Sequence, residues 1–205
     1  MSYNSLLSFG DLIPLKLKCD VKKLFDETEE FVYLKYNPRK NIERYGLSIT
    51  SLDGSLNGVD LDSIKEYNKE NNTEYDELSF NKFTEVYNVS SEIQKIVEPF
   101  KNHIGRSHIL SLQEGGYFPP HRDLPVYVEQ QNSLRILVPL KGCNPPDMYF
   151  MYEDKPLHFE HGRAYFLNTN KSHNLFSFKG SEMIVLNIKT NEEVYKIIGD
   201  LFQAR

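Results

Sequence analysis

Short apolar runs separated by turn residues fill the second half of the chain, from Arg106 onward. Runs of this length, bounded by Gly, Pro, Asn and Asp, are typical of β-strands. The pattern predicts strands near residues 107–113, 117–123, 133–140, 147–153, 156–160, 163–168, 172–178 and 181–189. Eight consecutive short strands predict a mainly β fold in which two sheets pack as a jelly roll.

The first half of the chain mixes strand and helix patterns. Leu15, Leu17 and Cys19 alternate with lysines, which predicts a half-buried strand. Asp20 follows and is placed to cap a short amphipathic helix. Residues 46–50 predict another strand. Helices are therefore expected to flank the sheets.

Three further segments of the chain have recognisable patterns. Residues 60–81 are charged and rich in asparagine, which predicts a surface excursion with a weak helix near 61–69. A firmer helix is predicted by apolar residues at spacings of three and four, namely Ile93, Ile96, Val97, Phe100 and Ile104. Thr190 and Glu193 have the spacing of a capping box, which predicts a last helix that covers the outside of one sheet.

Length and composition set the domain organisation. The 205 residues contain no stretch that marks an internal linker, which favours a single domain over 1–205. Within it we expect a mixed helix and strand buttress over 1–104, a β core over 105–190 and a helix over 191–205. The hydrophobic content of 40 % and the aromatic content of 13 % run along the whole length, which argues against disorder.

Charge and cysteine content exclude several classes of function. The net charge of −5 comes from interspersed acids and bases, so no basic stripe predicts a nucleic-acid partner. No apolar run approaches the roughly 20 residues of a membrane span, and no secretory signal is evident, so we expect a cytoplasmic protein. Cys19 and Cys143 have no metal-ligand spacing and are expected to be reduced thiols.

The chemistry of the chain centres on the tripeptide His121-Arg122-Asp123 and on His173, fifty residues after the aspartate. Two imidazoles and one carboxylate are the ligands that hold iron(II) on one face and leave the other face open. In an extended strand, side chains at i and i+2 point to the same side, so His121 and Asp123 can bind one ion. His173 is expected to join them from a distant strand.

Three segments carry a family resemblance. They are GRSHILSLQEGGYFPPHRD at 105–123, LRILVPL at 134–140 and GRAYFLNTNKSH at 162–173. Together they resemble the core of iron(II)/2-oxoglutarate-dependent oxygenases and are most similar to the aspartyl/asparaginyl β-hydroxylase-like branch. The resemblance covers 105–190 well and 44–50 more faintly. It implies a double-stranded β-helix fold of the cupin-like kind, and Fe(II), O2 and 2-oxoglutarate as cofactor and cosubstrates.

Arg135 is the second residue to which the resemblance gives a role. It is the single charge within 134–140, a run that is otherwise apolar on both faces. A buried guanidinium needs a partner, and its planar fork suits the distal carboxylate of 2-oxoglutarate. The alternative is a structural ion pair with a protein Asp or Glu.

The chain also departs from the family pattern. Many relatives carry a second arginine where this chain has Met183, so the usual second anchor for the cosubstrate is missing. Ser111, Gln113 and Asn187 are polar helpers suggested by strand parity. Ser111 also falls where the resembling hydroxylases place a serine that contacts the cosubstrate. In contrast, Asp123 completes a triad in which the named branch often has glycine.

These observations predict a hydroxylase that acts on an amino acid, a peptide side chain or another small metabolite. The loop at 124–132 directly follows two of the predicted ligands and is a candidate substrate lid. Two alternatives remain, which are a cupin-like metal protein of other chemistry and a non-catalytic binding module on the same scaffold. The sequence does not predict the oligomeric state.

Overall fold

The computed structural model describes residues 2–37, 40–123 and 132–202. The α-helices are α1 (Tyr3–Leu7), α2 (Val21–Thr28), α3 (Ile64–Asn71), α4 (Glu85–Val89), α5 (Ser91–Val97) and α6 (Glu192–Leu201), and 3-10 turns span Val59–Leu61 and Glu98–His103. The strands are β1 (Leu12–Lys18), β2 (Leu34–Lys35), β3 (Arg44–Ser48), β4 (Thr50–Ser51), β5 (Lys82–Phe83), β6 (His108–Leu112), β7 (Tyr117–His121), β8 (Ser133–Lys141), β9 (Met148–Tyr152), β10 (Lys155–Pro156), β11 (Arg163–Leu167), β12 (His173–Ser177) and β13 (Ser181–Lys189).

The strands form two facing antiparallel sheets. The larger sheet has the order β1-β11-β8-β13-β6-β3-β2, and the smaller has the order β10-β9-β12-β7. A short ladder joins β4 to β5. Consecutive strands alternate between the two sheets over much of the second half, as in a jelly roll, which confirms the fold class predicted from the sequence.

Two cores lie on the two faces of the larger sheet. Along β8, Ile136 and Val138 pack in the core beneath the helices, whereas Leu137 packs in the core between the sheets. Successive side chains of a strand point to opposite faces, so a sheet that is covered on both sides needs a nearly continuous apolar strand. Arg135 shares the parity of Leu137 and therefore points between the sheets, toward the candidate site.

Most predicted strands are confirmed within one or two residues. The exception in the second half is 156–160, where the structure has only Lys155–Pro156 as strand. The first half contributes more to the sheet than a buttress would, because β1 pairs with β11 and β3 pairs with β6. The helix predicted over 93–104 is instead α5 followed by a 3-10 turn. The change from one to the other coincides with Pro99, near the start of the 3-10 turn.

The N-terminal cap of α6 differs from the prediction. The cap is Asn191, whose side-chain oxygen accepts a hydrogen bond from the backbone N–H of Val194 at 2.8 Å. Thr190 still belongs to the preceding extended segment, where its N–H donates to the carbonyl of Asn132 at 2.9 Å. The carboxylate of Glu193 lies 3.1 Å from the Nε2 atom of His103. The capping-box prediction was therefore wrong by one residue.

Two smaller expectations concern thiols and membranes. Cys19 and Cys143 are both free, as predicted. The Sγ atom of Cys143 donates to the carbonyl of Glu182 at 3.0 Å, and burial raises the pKa of this thiol to about 12. Among the described residues, no helix combines the length and the apolar character needed to cross a membrane.

The interpretation of 60–81 as a surface excursion was wrong at its two ends. Leu61 and Phe80 are fully buried, and Asp60 is 1 % exposed. Neither carboxylate oxygen of Asp60 has a hydrogen-bond partner among the described residues. Burial raises the pKa of Asp60 to about 7. This acid is therefore largely protonated in the folded protein at mildly acidic pH.

We expect Asp60→Asn to change how stability depends on pH. Because the folded-state pKa lies above the unfolded one, the folded protein binds the Asp60 proton more tightly, and the free energy of unfolding falls as the pH rises from 4 to 7. The variant lacks this fall, so its melting temperature should rise relative to wild type between pH 4 and pH 8. Over this pH range, the free energy of unfolding of the variant should rise relative to that of wild type by at most about 4 kcal/mol. Asp154→Asn, at an exposed position, is the control, and parallel pH profiles for wild type and Asp60→Asn would contradict the argument.

Candidate active site

A cavity of about 390 Å³ opens between the two sheets. Its wall combines apolar side chains of both sheets with a small set of charged and polar groups. The polar and charged lining residues are Tyr36, Glu77, Arg106, His108, His121, Arg122, Asp123, Arg135, Thr169 and His173. A cleft in which polar groups converge among apolar side chains is the usual form of a small-molecule site, and this one is more polar than most.

Strand pairing brings the two predicted histidine ligands together. His173 begins β12 and lies directly opposite His121, the last residue of β7. Their ring centroids are 4.3 Å apart. Asp123 lies just beyond the end of β7, where its backbone N–H donates to the carbonyl of Thr169 at 3.1 Å. That bond fixes the aspartate beside the turn that leads to His173.

The three side chains present one ligand atom each to a common point. The Oδ1 atom of Asp123 lies 3.6 Å from Nε2 of His121 and 3.8 Å from Nε2 of His173. One ligand atom from each of the three residues can be chosen so that all lie within 4.8 Å of one another. Such a set is the right size to surround one metal ion.

Backbone carbonyls fix the tautomer of both rings. The Nδ1 atom of His121 lies 2.7 Å from the carbonyl of Pro119, and that of His173 lies 3.0 Å from the carbonyl of Lys171. A carbonyl can only accept, so each Nδ1 carries the hydrogen and, in the neutral ring, each Nε2 offers its lone pair. Burial lowers the pKa of His173, which favours that neutral form. The donor set therefore fits a divalent metal.

Arg135 lies deep in the cavity and is paired with protein groups. Its Nε lies 3.2 Å from Oδ2 of Asp123, and its Nη2 lies 3.1 Å from Oε2 of Glu77. Its Nη1 donates to the side-chain oxygen of Asn187 at 2.5 Å. The structural ion pair left open by the sequence is thus formed, and it includes one of the candidate metal ligands.

Glu77 is a residue of the site that was not predicted from the sequence. It comes from the segment interpreted as a surface excursion, yet it lines the cavity and pairs with both Arg135 and Arg106. Burial works to raise the pKa of its carboxyl, but the charges of Arg135 and Arg106 outweigh burial and hold the pKa below its usual value. Asn187 donates its amide hydrogen to the same carboxylate.

Arg106 and His108 were also missed. Arg106 donates to Glu77 at 2.6 Å and to the carbonyl of Asp62 at 2.9 Å. His108, for which the sequence offered no role, is 4 % exposed and lines the cavity. Burial lowers the pKa of His108 to about 3, so its ring is neutral. The cavity therefore has arginines besides Arg135, although none at the position of Met183.

The suggested polar helpers divide by strand parity. Asn187 lies on the inner face and contacts Arg135, as expected. Ser111 lies on the opposite face of β6 from Leu110, which lines the cavity. Gln113 donates to the hydroxyl of Ser111 at 3.0 Å and follows it away from the cavity. Neither residue therefore lines this cavity, because β6 turns its other face inward.

Other candidate positions lie elsewhere. Tyr117, Tyr149 and Tyr152 do not line this cavity, and Lys141 and Lys179 are exposed and do not line it either. Met183 lines the cavity without contributing charge. The proposed lid at 124–132 lies outside the described residues except for its last position.

Comparisons with known proteins support the fold. No family model matches the chain, and no curated protein matches its sequence. A 2OG-Fe(II) oxygenase family oxidoreductase from Burkholderia pseudomallei superposes with a TM-score of 0.50 at 9 % identity, over 91 % of this chain and 89 % of that chain. A prolyl-4-hydroxylase from Pseudomonas putida gives 0.48 at 7 % identity, over 91 % and 96 %. A predicted oxalate decarboxylase from Thermotoga maritima gives 0.33 at 17 % identity, over 46 % and 74 %.

The first of these superpositions extends over nearly the whole of both chains, so this protein shares the jelly-roll fold of that oxidoreductase. At 9 % identity the likeness concerns the fold, and the chemistry of this chain has to be argued from its own residues.

Proposed function

We propose that this protein is a non-haem iron(II)- and 2-oxoglutarate-dependent oxygenase that hydroxylates an amino acid, a peptide side chain or another small metabolite. The observation that carries the proposal is the convergence of His121, Asp123 and His173 at one end of a cavity, with both imidazoles held in the tautomer that offers Nε2 to a metal. When bound there with 2-oxoglutarate and O2, iron(II) supplies the oxidation of a C–H bond to an alcohol, with release of succinate and carbon dioxide.

The residues around the ligands have separate tasks. Arg135 holds the second oxygen of Asp123, which keeps Oδ1 turned toward the two imidazoles. Apolar side chains such as Phe150 and Leu175 line the cavity and limit the access of water to the reacting groups. Arg135, Arg106 and Asn187 form the polar end, where a second carboxylate can be recognised in exchange for Glu77.

The proposed partners follow from the same features. A cavity of this size suits a small molecule or a single side chain of a peptide. Acids outnumber bases in the chain, so nucleic acid is not proposed as substrate. A cytoplasmic location remains a prediction from the sequence.

One observation favours a second candidate, a cupin-like metal protein of other chemistry. Glu77 already neutralises Arg135 and Arg106, and the third arginine among the described lining residues, Arg122, is exposed. A protein that keeps this internal carboxylate in place would bind metal without needing 2-oxoglutarate. The two candidates differ in whether a dicarboxylate displaces Glu77.

Succinate formation tests the proposed function. Wild type with Fe(II), 2-oxoglutarate and O2 should release succinate slowly without substrate, and in near-equal amount to a product heavier by one oxygen atom with the right amino acid or peptide. Asp123→Gly should reduce both by at least about a hundredfold, because it removes one of three ligands and frees Arg135. Mass spectrometry of both products is the measurement. No succinate from wild type across a broad panel of amino acids and peptides would favour the second candidate.

A further inference from the structure

A second hollow adjoins the candidate active site. This groove has a volume of about 420 Å³ and shares Phe118 and His121 with the main cavity. Its other lining residues include Lys40, Arg44 and Tyr117. A molecule that occupies the groove therefore lies against one of the candidate metal ligands.

Arg44 is the unusual residue of this groove. It begins β3, opposite Leu112 of β6, and is 7 % exposed. Its guanidinium lies 4.3 Å from the ring centroid of Phe118 and 5.6 Å from that of Tyr36. No carboxylate or carbonyl among the described residues accepts a hydrogen bond from the Arg44 side chain, and its buried Nε has no partner there.

Aromatic rings do not satisfy this group. They cover a face of the guanidinium, whereas its five N–H donors lie in its plane and point past the ring faces. Arg44 as a whole is 7 % exposed and its Nε is buried without an acceptor, which is costly for a charged group, and burial lowers the pKa of Arg44 accordingly. Lys40 adds a second positive charge, and none of the described lining residues of the groove is acidic.

The contrast with the other arginines of the site is informative. Arg135 and Arg106 have Glu77 as a shared carboxylate, and Arg135 also has Asp123. Arg135 and Arg106 are thus paired within the protein, whereas Arg122, the third arginine of the main cavity, is exposed. The groove at Arg44 has positive charge and aromatic surface but no described counter-ion.

We propose that Arg44, assisted by Lys40, binds a carboxylate of the substrate, which is therefore an organic acid or an amino acid with a free carboxylate. The guanidinium fork matches a carboxylate in a bidentate arrangement, and the ring of Phe118 supports the adjoining carbon chain toward His121. The assignment of this carboxylate to a substrate rests on the proposed function. The binding site itself does not need the metal.

Binding of a matched acid and amide to metal-free protein tests the proposal. N-acetylleucine and N-acetylleucinamide differ only in the carboxylate, and their affinities can be compared by ligand-observed NMR and calorimetry. Wild type should bind the acid at least about tenfold more tightly than the amide. Arg44→Met should lose this preference, while Lys16→Met, which removes an exposed charge from β1 at the other end of the larger sheet, should keep it.

Several results would overturn the proposal. Equal affinity of wild type for acid and amide would do so, as would an acid preference that survives in Arg44→Met or disappears in Lys16→Met. Tighter binding of inorganic phosphate than of the acid would overturn the carboxylate assignment. If Arg44→Met does not fold, Lys40→Met replaces it and should weaken acid binding about two- to fivefold, as for a solvent-screened charge, with unchanged affinity counting against the proposal. The binding test uses metal-free protein. Its result therefore does not depend on whether wild type forms succinate in the assay of the proposed function.

Discussion

His173→Ala is expected to abolish stoichiometric metal binding. Wild type should bind about one Fe(II), or Co(II) or Ni(II) as a surrogate, per chain, because His121, Asp123 and His173 offer one donor atom each to a common point. Loss of an outer partner of a metal ligand already costs ten- to a hundredfold in affinity, so loss of a ligand should cost at least about a hundredfold. Metal content after dialysis and calorimetric titration with Co(II) are the measurements.

Two controls separate ligation from folding. His173 stacks on Phe150 at 5.9 Å between ring centroids, so its truncation also removes packing. His173→Gln fills more of that space and should lose the metal while melting closer to wild type. His158→Ala, at an exposed position, should bind metal normally. Unchanged metal content in both His173 variants would refute the assignment of the three ligands.

Much of the fold could be predicted because its strands carry strong local patterns. β8 and β13 contain the continuous apolar runs 136–140 and 183–186, and a sheet covered on both faces requires such runs. The least accurate strand prediction is 156–160. In the structure only Lys155 and Pro156 pair there, with β9, and they form an edge strand of the smaller sheet. Short edge strands contain too few residues for a period of two to be read.

The candidate metal ligands could be brought together from the sequence, whereas the acid that pairs with Arg135 and Arg106 could not be predicted. His121 and Asp123 are two residues apart, and His173 begins a strand, so local reasoning reaches them. Glu77 reaches the site by a tertiary contact across 58 residues to Arg135, from a segment without periodicity. The one available signal was the cost of burying Arg135, which required an acid from somewhere in the chain.

Ser111 and Gln113 were expected on the face of β6 that points into the cavity, but they lie on the other face. Ser111 and Gln113 lie on one face of β6 and its extension, as predicted, but β6 is buried on both faces. Hydrophobicity could therefore not tell which face points inward. His108 and Leu110 line the cavity, so they mark the face of β6 that points inward. The prediction based on Ser111 assigned the opposite face to the cavity.

Charge balance in the cavity decides whether 2-oxoglutarate can bind. Arg135 and Arg106 form a site with carboxylate complementarity, and Glu77 fills it in the structure. A dicarboxylate has to displace Glu77 or add a negative charge beside it. The free energy of that exchange, rather than the presence of Arg135 alone, sets the affinity.

Glu77→Gln is expected to have opposite effects without and with 2-oxoglutarate. Without it, two buried guanidinium groups lose their shared counter-ion, which should lower the free energy of unfolding by about 3 to 5 kcal/mol. With it, the ligand carboxylate takes the place of Glu77, so the rise in melting temperature of the metal-loaded variant should exceed that of wild type. Glu77→Asp, which keeps the charge, should show the smaller rise of wild type.

Arg135→Met completes this test, because it removes the guanidinium that both carboxylates would share and replaces it with an apolar chain. If Arg135 recognises 2-oxoglutarate, the ligand-induced rise in melting temperature should disappear in this variant, for a loss of about tenfold to a hundredfold in affinity. A rise in Glu77→Gln no larger than in wild type would mean that Glu77 does not occupy the cosubstrate site. Absence of any rise in wild type and in Glu77→Gln alike would mean that the internal carboxylate is permanent, as expected of a metal protein that works without 2-oxoglutarate.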